Sequence, residues 1–573
     1  MTATATPVES PAGFTHRQIL TIMSGLMLGM LLASLDQTIV STSIRTIADD
    51  LDGYSLQAWA TTAYLITATI STPLYGKLSD MFGRKPFFLA AIGLFIIGSL
   101  LCTLATSMYQ LAAFRAFQGL GAGGLMSLAL TILGDIIGPR ERARYQGYFL
   151  AVFGISSVAG PVLGGLLAGQ DTILGITGWR WVFLVNVPLG LIALVVVTRV
   201  LHLPRKPHAT HRIDFAGAVV LAIGLVPLLI VAEQGREWGW GSTNSVLCYV
   251  IGAIGLVGFV AVEKYMGDAA LIPLRIFNNA TFAVGVVISF VVGSAMFGGM
   301  LLLPQYLQVV RGAGPTEAGL QMLPLVLGLM IGSITSGRLI SKTGRYRVFP
   351  MIGATMLTLG LFLLHLLDAR SPLWLAMAFM AVTGFGLGNL MQPLTLALQN
   401  ALPPKDMGVS TAAATFFRQI GGTLGAAVFL SILFSLLTPN ISAELQRSAA
   451  DPAYQHAVVE GARSTNPADA ELARGLLEHD TSAAGKVLQD SSIIQQLDPE
   501  LAEPFQVGFA DSMSTVFLVA AAVSLIALVL VLFWKEVPLR MSGGIQAAGN
   551  TRSADGVGAL VETTAQAEVG KVK

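Results

Sequence analysis

Residues 76–85 read GKLSDMFGRK, and residues 337–346 read GRLISKTGRY. Glycine, a basic residue and leucine open both stretches, and Gly-Arg follows five and six positions after the leucine in each. Both follow an apolar run and precede another, so each reads as a short loop between two neighbouring helices. Recurrence in register implies a chain built from two related halves.

The apolar runs set the environment of those loops. Hydrophobic residues are 54% of 573, charged ones 12%, and the mean hydropathy is +0.69. A soluble domain has no interior large enough to hide that surface. A spanning helix needs about 20 apolar residues. Fourteen segments qualify: 19–39, 57–76, 87–105, 110–134, 145–168, 181–201, 215–232, 246–265, 281–303, 317–340, 349–367, 373–392, 409–437 and 508–534. The chain therefore reads as an all-α integral membrane protein. The first run is too long for a removed signal peptide and has no clear small-residue cleavage site.

Basic residues in short loops set the orientation. Twenty fall on the side of the termini and five on the other. This places both termini in the cytoplasm of a cell bearing the protein in its inner or plasma membrane. Segment 438–507 lies on the outer side with four basic and eleven acidic residues, a net of −7. Its spacing is helix-like in places, and it reads as a solvated acidic cap or a cation-collecting vestibule. The tail 535–573 reads as disordered. Cys102 and Cys248, far apart in apolar runs, read as buried small side chains rather than a disulfide.

The second copy of the loop follows the tenth segment, whereas a simple duplication of six-helix halves would put it after the eighth. The surplus is the seventh and eighth segments. The expected organisation is a cytoplasmic stretch 1–18, a first bundle 19–201, and a linker with two inserted helices 202–276. The second bundle then runs over 277–437, the outer loop over 438–507 and the last helix over 508–534. Duplicated transporters place their substrate site at the interface of the halves near the bilayer midplane.

The fragment GKLSDMFGRKP resembles the cytoplasmic signature of the major facilitator superfamily. LDQTIV in the first segment, WATTAYL at 59–65, RAFQG at 115–119, GPVLGG at 160–165 and WRWVFLVNVPLG at 179–190 resemble its fourteen-helix drug:H⁺ antiporter branch. The resemblance spans residues 19–540. It implies the major facilitator fold, two six-helix bundles with two inserted helices, and export of quaternary ammonium compounds, dyes and antibiotics. The chain departs from the branch at Ser41, Arg45 and Ser156.

Asp36 is the one carboxylate in the first apolar run, and Arg115 of the fourth falls at a similar depth. A carboxylate there is costly to ionise unless paired. Two readings stand: a pair whose protonation switches when a cation or water enters, and a fixed salt bridge. The resemblance favours Asp36 as the proton and substrate-cation site, tuned by Arg115. It likewise implies gating by the loop residues Gly76, Asp80, Gly83, Arg84 and Lys85. Asp80 can pair with Arg84 or with a helix N-terminus. Gly160, Pro161, Gly164 and Gly165 bend the fifth helix or admit a close neighbour, and the resemblance gives them the interface that seals between conformations.

Gln392, Arg418 and Asp511 are possible cavity residues, and so is Asn389; Gln419 lies beside Arg418 among small residues, Glu317 can favour the N-terminal dipole of the tenth segment, and packing or capping is the alternative for each. His365 reads as a structural histidine. Trp59, Tyr64 and Phe117 can form a greasy pocket for planar cations or face lipid.

No G-x-x-x-x-G-K-[ST] occurs, which excludes a nucleotide site for a primary pump. The seven histidines are scattered and form no metal-ligand set, so the expectation is no metal, no cofactor and no enzyme. The net charge of +1 argues against nucleic acid as a partner. Secondary transport remains: proton-coupled export of lipophilic or cationic drugs, or dedicated export of one endogenous metabolite, antibiotic or lipid. The partners are then small-molecule substrate, protons and the lipid bilayer.

Overall fold

The computed structural model describes residues 16–51, 56–202, 214–478, 487 and 491–540. The N-terminal stretch, the linker residues Arg205, Lys206 and Arg212, and the expected tail beyond Arg540 lie outside the described residues. Long helices dominate. The first half holds α1 (His16–Asp50), α2 (Gln57–Phe82), α3 (Arg84–Thr103), α4 (Met108–Ile136), α5 (Pro139–Ala168), the short α6 (Arg180–Leu184) and α7 (Asn186–Val200). A two-residue hairpin, Thr172–Ile173 against Ile176–Thr177, joins α5 to α6 through Leu174 and Gly175, both at positive φ.

The pair α8 (Phe215–Trp238) and α9 (Thr243–Met266) follows, and its two members pack chiefly on each other. The second half holds α10 (Ala280–Gln305), α11 (Pro315–Gln321), α12 (Leu323–Thr343), α13 (Val348–His365), α14 (Leu373–Ala401) and α15 (Met407–Ser448). After α16 (Pro452–Gly461) and α17 (Pro467–Leu477), α18 (Pro499–Phe533) closes it.

Thirteen helices, among the described residues, are long and apolar enough to cross a membrane. The expected second span lies in α2, which runs 26 residues but carries Thr61, Thr62, Thr67, Thr69, Ser71 and Thr72 and is not among the thirteen. Those hydroxyls face helices rather than lipid: Thr72 is fully buried and its hydroxyl donates to Ala68 O and Gly123 O.

The two halves repeat one packing scheme. α2 packs on α4 as α12 packs on α14, α3 on α4 as α13 on α14, and α1 on α5 as α10 on α15. The repeated loops share one backbone feature too. Gly83 and Gly344 both have positive φ, and their N–H groups donate to Ser79 O and Ile340 O, closing α2 and α12 alike. A side chain at either glycine would be strained.

Hydropathy underestimates α15 and α18. The expected spans 409–437 and 508–534 become helices Met407–Ser448 and Pro499–Phe533. Both continue beyond the apolar stretch because α16, α17 and the turn Ser491–Gln496 pack on their extensions through Tyr454, Leu472, Ile494 and Leu501. Asp451, Asn466 and Asp498 cap α16, α17 and α18, each accepting from a backbone N–H two residues on. The described residues of the acidic segment therefore form a folded helical cap.

Candidate functional site

The lone carboxylate of the first span lies at the centre of the first half. Asp36 is fully buried and its Oδ2 accepts from the Arg115 guanidinium at 2.6 Å. Its Oδ1 accepts from Gln118 Nε2 at 3.0 Å and Asn186 Nδ2 at 2.6 Å. Arg115 also donates to Gln118 Oε1 at 2.7 Å and to Ala60 O, and its guanidinium lies 4.1 Å from the Tyr64 ring centroid. Gln118 reaches Ser99 on α3. Five helices thus contribute to one polar cluster, and both charged partners are satisfied within it.

Sequence reasoning paired Asp36 with Arg115 but missed Gln118 and Asn186. Gln118 was within reach of inspection, one helical turn from Arg115 on the same face. Asn186 sits where α6 breaks into α7, which the sequence does not announce.

The loop residues form a second cluster between the halves. Arg84 Nε donates to Asp135 at 2.7 Å, a second nitrogen lies 2.5 Å from Asp80, and a third donates to Ser79 Oγ. Asp80 accepts from the backbone N–H of Gly408 at 3.3 Å and of Val409 at 3.0 Å. Both alternatives for Asp80 hold at once: it pairs with Arg84 and caps α15 of the opposite half. Gly76 crosses Gly408 closely, and a methyl group on Gly76 would meet Ala412 and lie 2.9 Å from Gly408 O. Lys85 takes no part in this junction: it is half-buried and donates to Thr198 O of its own half.

Two further links between halves, and one contact within the first half, were not foreseen. Arg140 donates to Ser341 O and Lys342 O, so the second copy of the loop is held as well. Buried Arg142 donates to Gln399 of α14 and to Gly134 O. Asp135 anchors Arg84, and a carboxylate at the end of an apolar run could have been found by the test that found Asp36.

On α5, Gly160 and Gly164 pack against Thr38 and Thr42 of α1, and Ser43 Oγ donates to Gly164 O. Pro161 approaches Gly319 of α11 in the other half. Gly165 has nothing within 4 Å of where its Cβ would sit and is exposed, so it takes no part in the interface. Ser156, where the resemblance expects glycine, hydrogen-bonds Ser34 Oγ at 2.7 Å. A polar contact here replaces a close approach.

The possible cavity residues separate. Gln392 is buried and its Oε1 has no partner, and Arg418 is partly buried on α15. Asp511 is exposed, three turns into α18 near the cap, apart from both. Glu317 is exposed and accepts from Gln321. His365 is satisfied by Ser514. Cys102 and Cys248 are free thiols. The structure adds an apolar cavity of about 580 Å³, lined by α8 and α9 residues such as Leu225 and Phe259 and by Phe290, Phe416 and Ile420 of the second half.

Duplicated helix bundles meeting at a loop-lined junction, with a buried charge pair inside one half, define a multi-pass membrane transporter. The Major Facilitator Superfamily profile matches residues 26–426, and the chain belongs to that family. The multidrug transporter protein MdtP of Bacillus subtilis is 33% identical over 525 residues, covering 90% of this chain and 93% of its own. Multidrug resistance protein 3 of the same organism is 34% identical over 423 residues, covering 74% and 81%. Among solved structures, the proton:xylose symporter XylE superposes with a TM-score of 0.57 at 16% identity, covering 93% of this chain and 99% of XylE. That likeness carries the fold. As a member of this family, the chain moves small molecules across a membrane and is not an enzyme.

Proposed function

We propose that the chain is a proton-coupled exporter of lipophilic small molecules in the fourteen-span drug:H⁺ antiporter branch, working by alternating access with both termini in the cytoplasm. The observation that carries the reading is the buried Asp36–Arg115 pair. Protonation of Asp36 would remove its attraction for the guanidinium, and deprotonation would restore it. Such a group can hold a proton in one access state and release it in another. The multidrug names of relatives at about one-third identity support the breadth of substrates. The proton motive force is adequate, since each charge crossing 100 mV contributes about 2.3 kcal/mol.

The contacts between the halves gather at the basic-loop end, through Asp80, Arg140 and Arg142. This supports reading the conformation as closed toward the cytoplasm, with residues 19–201 and 277–534 as the moving bodies. Cation recognition requires the pair to open, because Arg115 already neutralises Asp36.

The test is proton release from acidified inside-out vesicles on adding lipophilic compounds, in wild type and Asp36→Asn. Substrate-driven release that disappears in the variant is expected. Release that persists would leave Asp36 outside the coupling, and a response to one compound alone would favour a dedicated exporter.

A further inference from the structure

The second half carries a charge that its own side chains do not neutralise. Arg418 lies in the middle of α15, and among the described residues no carboxylate or other acceptor partners its guanidinium. The faces of α15 around it are assigned by their contacts. Gln419 faces α2 and accepts from Thr72. Gly421 and Gly425 meet Phe290 and Ser294 of α10. Phe417, Ile420 and Leu424 line the apolar cavity against α8 and α9. At 100° per residue Thr411, Thr415 and Arg418 fall between the α2 face and the Gly421/Gly425 face, on the side opposite the apolar cavity, with Arg418 and Gly422 bordering α10 through Gly293 and Phe297. The Thr411 end of this face meets the junction of the halves, since Gln399, which bonds Thr411, also reaches Leu130 O of α4.

α14 presents a matching arc. Gln399 donates to Thr411 Oγ1 at 2.8 Å, which fixes the antiparallel register of α14 and α15. Gln392 and Arg418 each lie seven residues from that bond in the same direction, about 10 Å along the axes. They occupy one level. Gln392 Oε1 and Thr415 Oγ1 are both buried and, among the described residues, have no hydrogen-bond partner. Three polar side chains with unmet hydrogen-bonding capacity therefore share one stretch of the interior. Buried polar groups are ordinarily paired, and an intramembrane arginine ordinarily finds an acid.

We infer that Arg418, with Gln392 and Thr415, forms an anion-anchoring subsite in the second half, and that the substrates include lipophilic acids, carboxylates above all. The guanidinium supplies a two-pronged donor matched to a carboxylate, and the amide of Gln392 and the hydroxyl of Thr415 supply further donors. Arg115 of the first half cannot provide this, because it is already paired with Asp36. The inference rests on the export reading only for the route by which substrate arrives.

Binding and transport separate the two. Purified protein in nanodiscs is titrated with 1-pyrenebutyrate and with the matched 1-pyrenebutyl-trimethylammonium ion, following pyrene fluorescence. Wild type is expected to bind the carboxylate, Arg418→Gln to weaken it by about tenfold or more, and Arg418→Lys to weaken it less. The trimethylammonium probe is expected to bind Arg418→Gln more tightly than wild type. A merely structural arginine would move both probes the same way. Unchanged carboxylate affinity in Arg418→Gln, parallel loss of both probes, or wild type that binds only the cation would overturn the subsite. Carboxylate binding that depends on Arg418 without proton-driven transport in proteoliposomes would support it and sink the export reading instead.

Discussion

Asp80 of α2 accepts the backbone N–H of Val409 at 3.0 Å while pairing with Arg84 at 2.5 Å, so one carboxylate caps a helix of the opposite half and closes its own loop. The link depends on Gly408, where a methyl group would lie 2.5 Å from Asp80 and 2.6 Å from Arg84.

Removing that carboxylate should loosen the junction. Asp80→Asn loses the charge at the α15 N-terminus, a contribution of about 0.5–2 kcal/mol. The expected result is a several-fold shift in population toward the state open at the basic-loop end. Spin-label distances between the loop after α2 and the start of α15 measure it, and an unchanged distance distribution would count against the gating role.

The Asp36–Arg115 pair invites a double-mutant cycle. Either Asp36→Asn or Arg115→Gln strands a buried partner, at a cost of about 3–5 kcal/mol. The double variant should unfold at a higher temperature than either single one. Thermal unfolding followed by tryptophan fluorescence reads this directly; additive losses would mean the two side chains act independently.

The glycines of α5 should divide sharply. Gly160→Val and Gly164→Val drive side chains into Thr38 and Thr42 and should cost roughly 1–3 kcal/mol each with loss of transport. Gly165→Ala has open space and should behave as wild type. Equal effects at all three positions would refute the assignment of Gly160 and Gly164 to the α1 contact.

These contrasts mark what the residues announced. Asp36 was legible because a carboxylate in hydrocarbon stands out at once, and Arg115 because it falls at a similar depth. Gln118 and Asn186 were not, since uncharged polar residues are common in spans and their roles depend on tertiary contact. Gly160 and Gly165 belong to one motif, yet only their angular positions on α5 distinguish them. The repeat of 76–85 at 337–346 gave the duplicated scheme, with Gly83 and Gly344 as its structural mark. The lengths of α15 and α18 were hidden, because hydropathy ends where the bilayer does and the helix does not.

The cap offers a local test of stability. Asn466 accepts from Ala468 N–H at 3.1 Å and donates to Gln496 O at 2.6 Å. Asn466→Ala should destabilise the cap by about 1 kcal/mol and speed its cleavage by external protease. Mass spectrometry of the fragments would locate the cuts, and cleavage confined to α1–α7 would contradict the prediction.

The same cap has a mechanical consequence. It is tied to the second half alone among the described contacts, through the Arg370–Glu503 ion pair and the Gln495–Gln308 hydrogen bond. Its pillars are unbroken continuations of α15 and α18, and residues 438–448 alone extend α15 by about 16 Å beyond the expected span. A tilt of a few degrees in the second half would swing the tip of this lever through a much larger arc than any point at the midplane. A fluorophore on α16 would then register each conformational cycle from the side opposite the basic loops, without touching the residues that perform it.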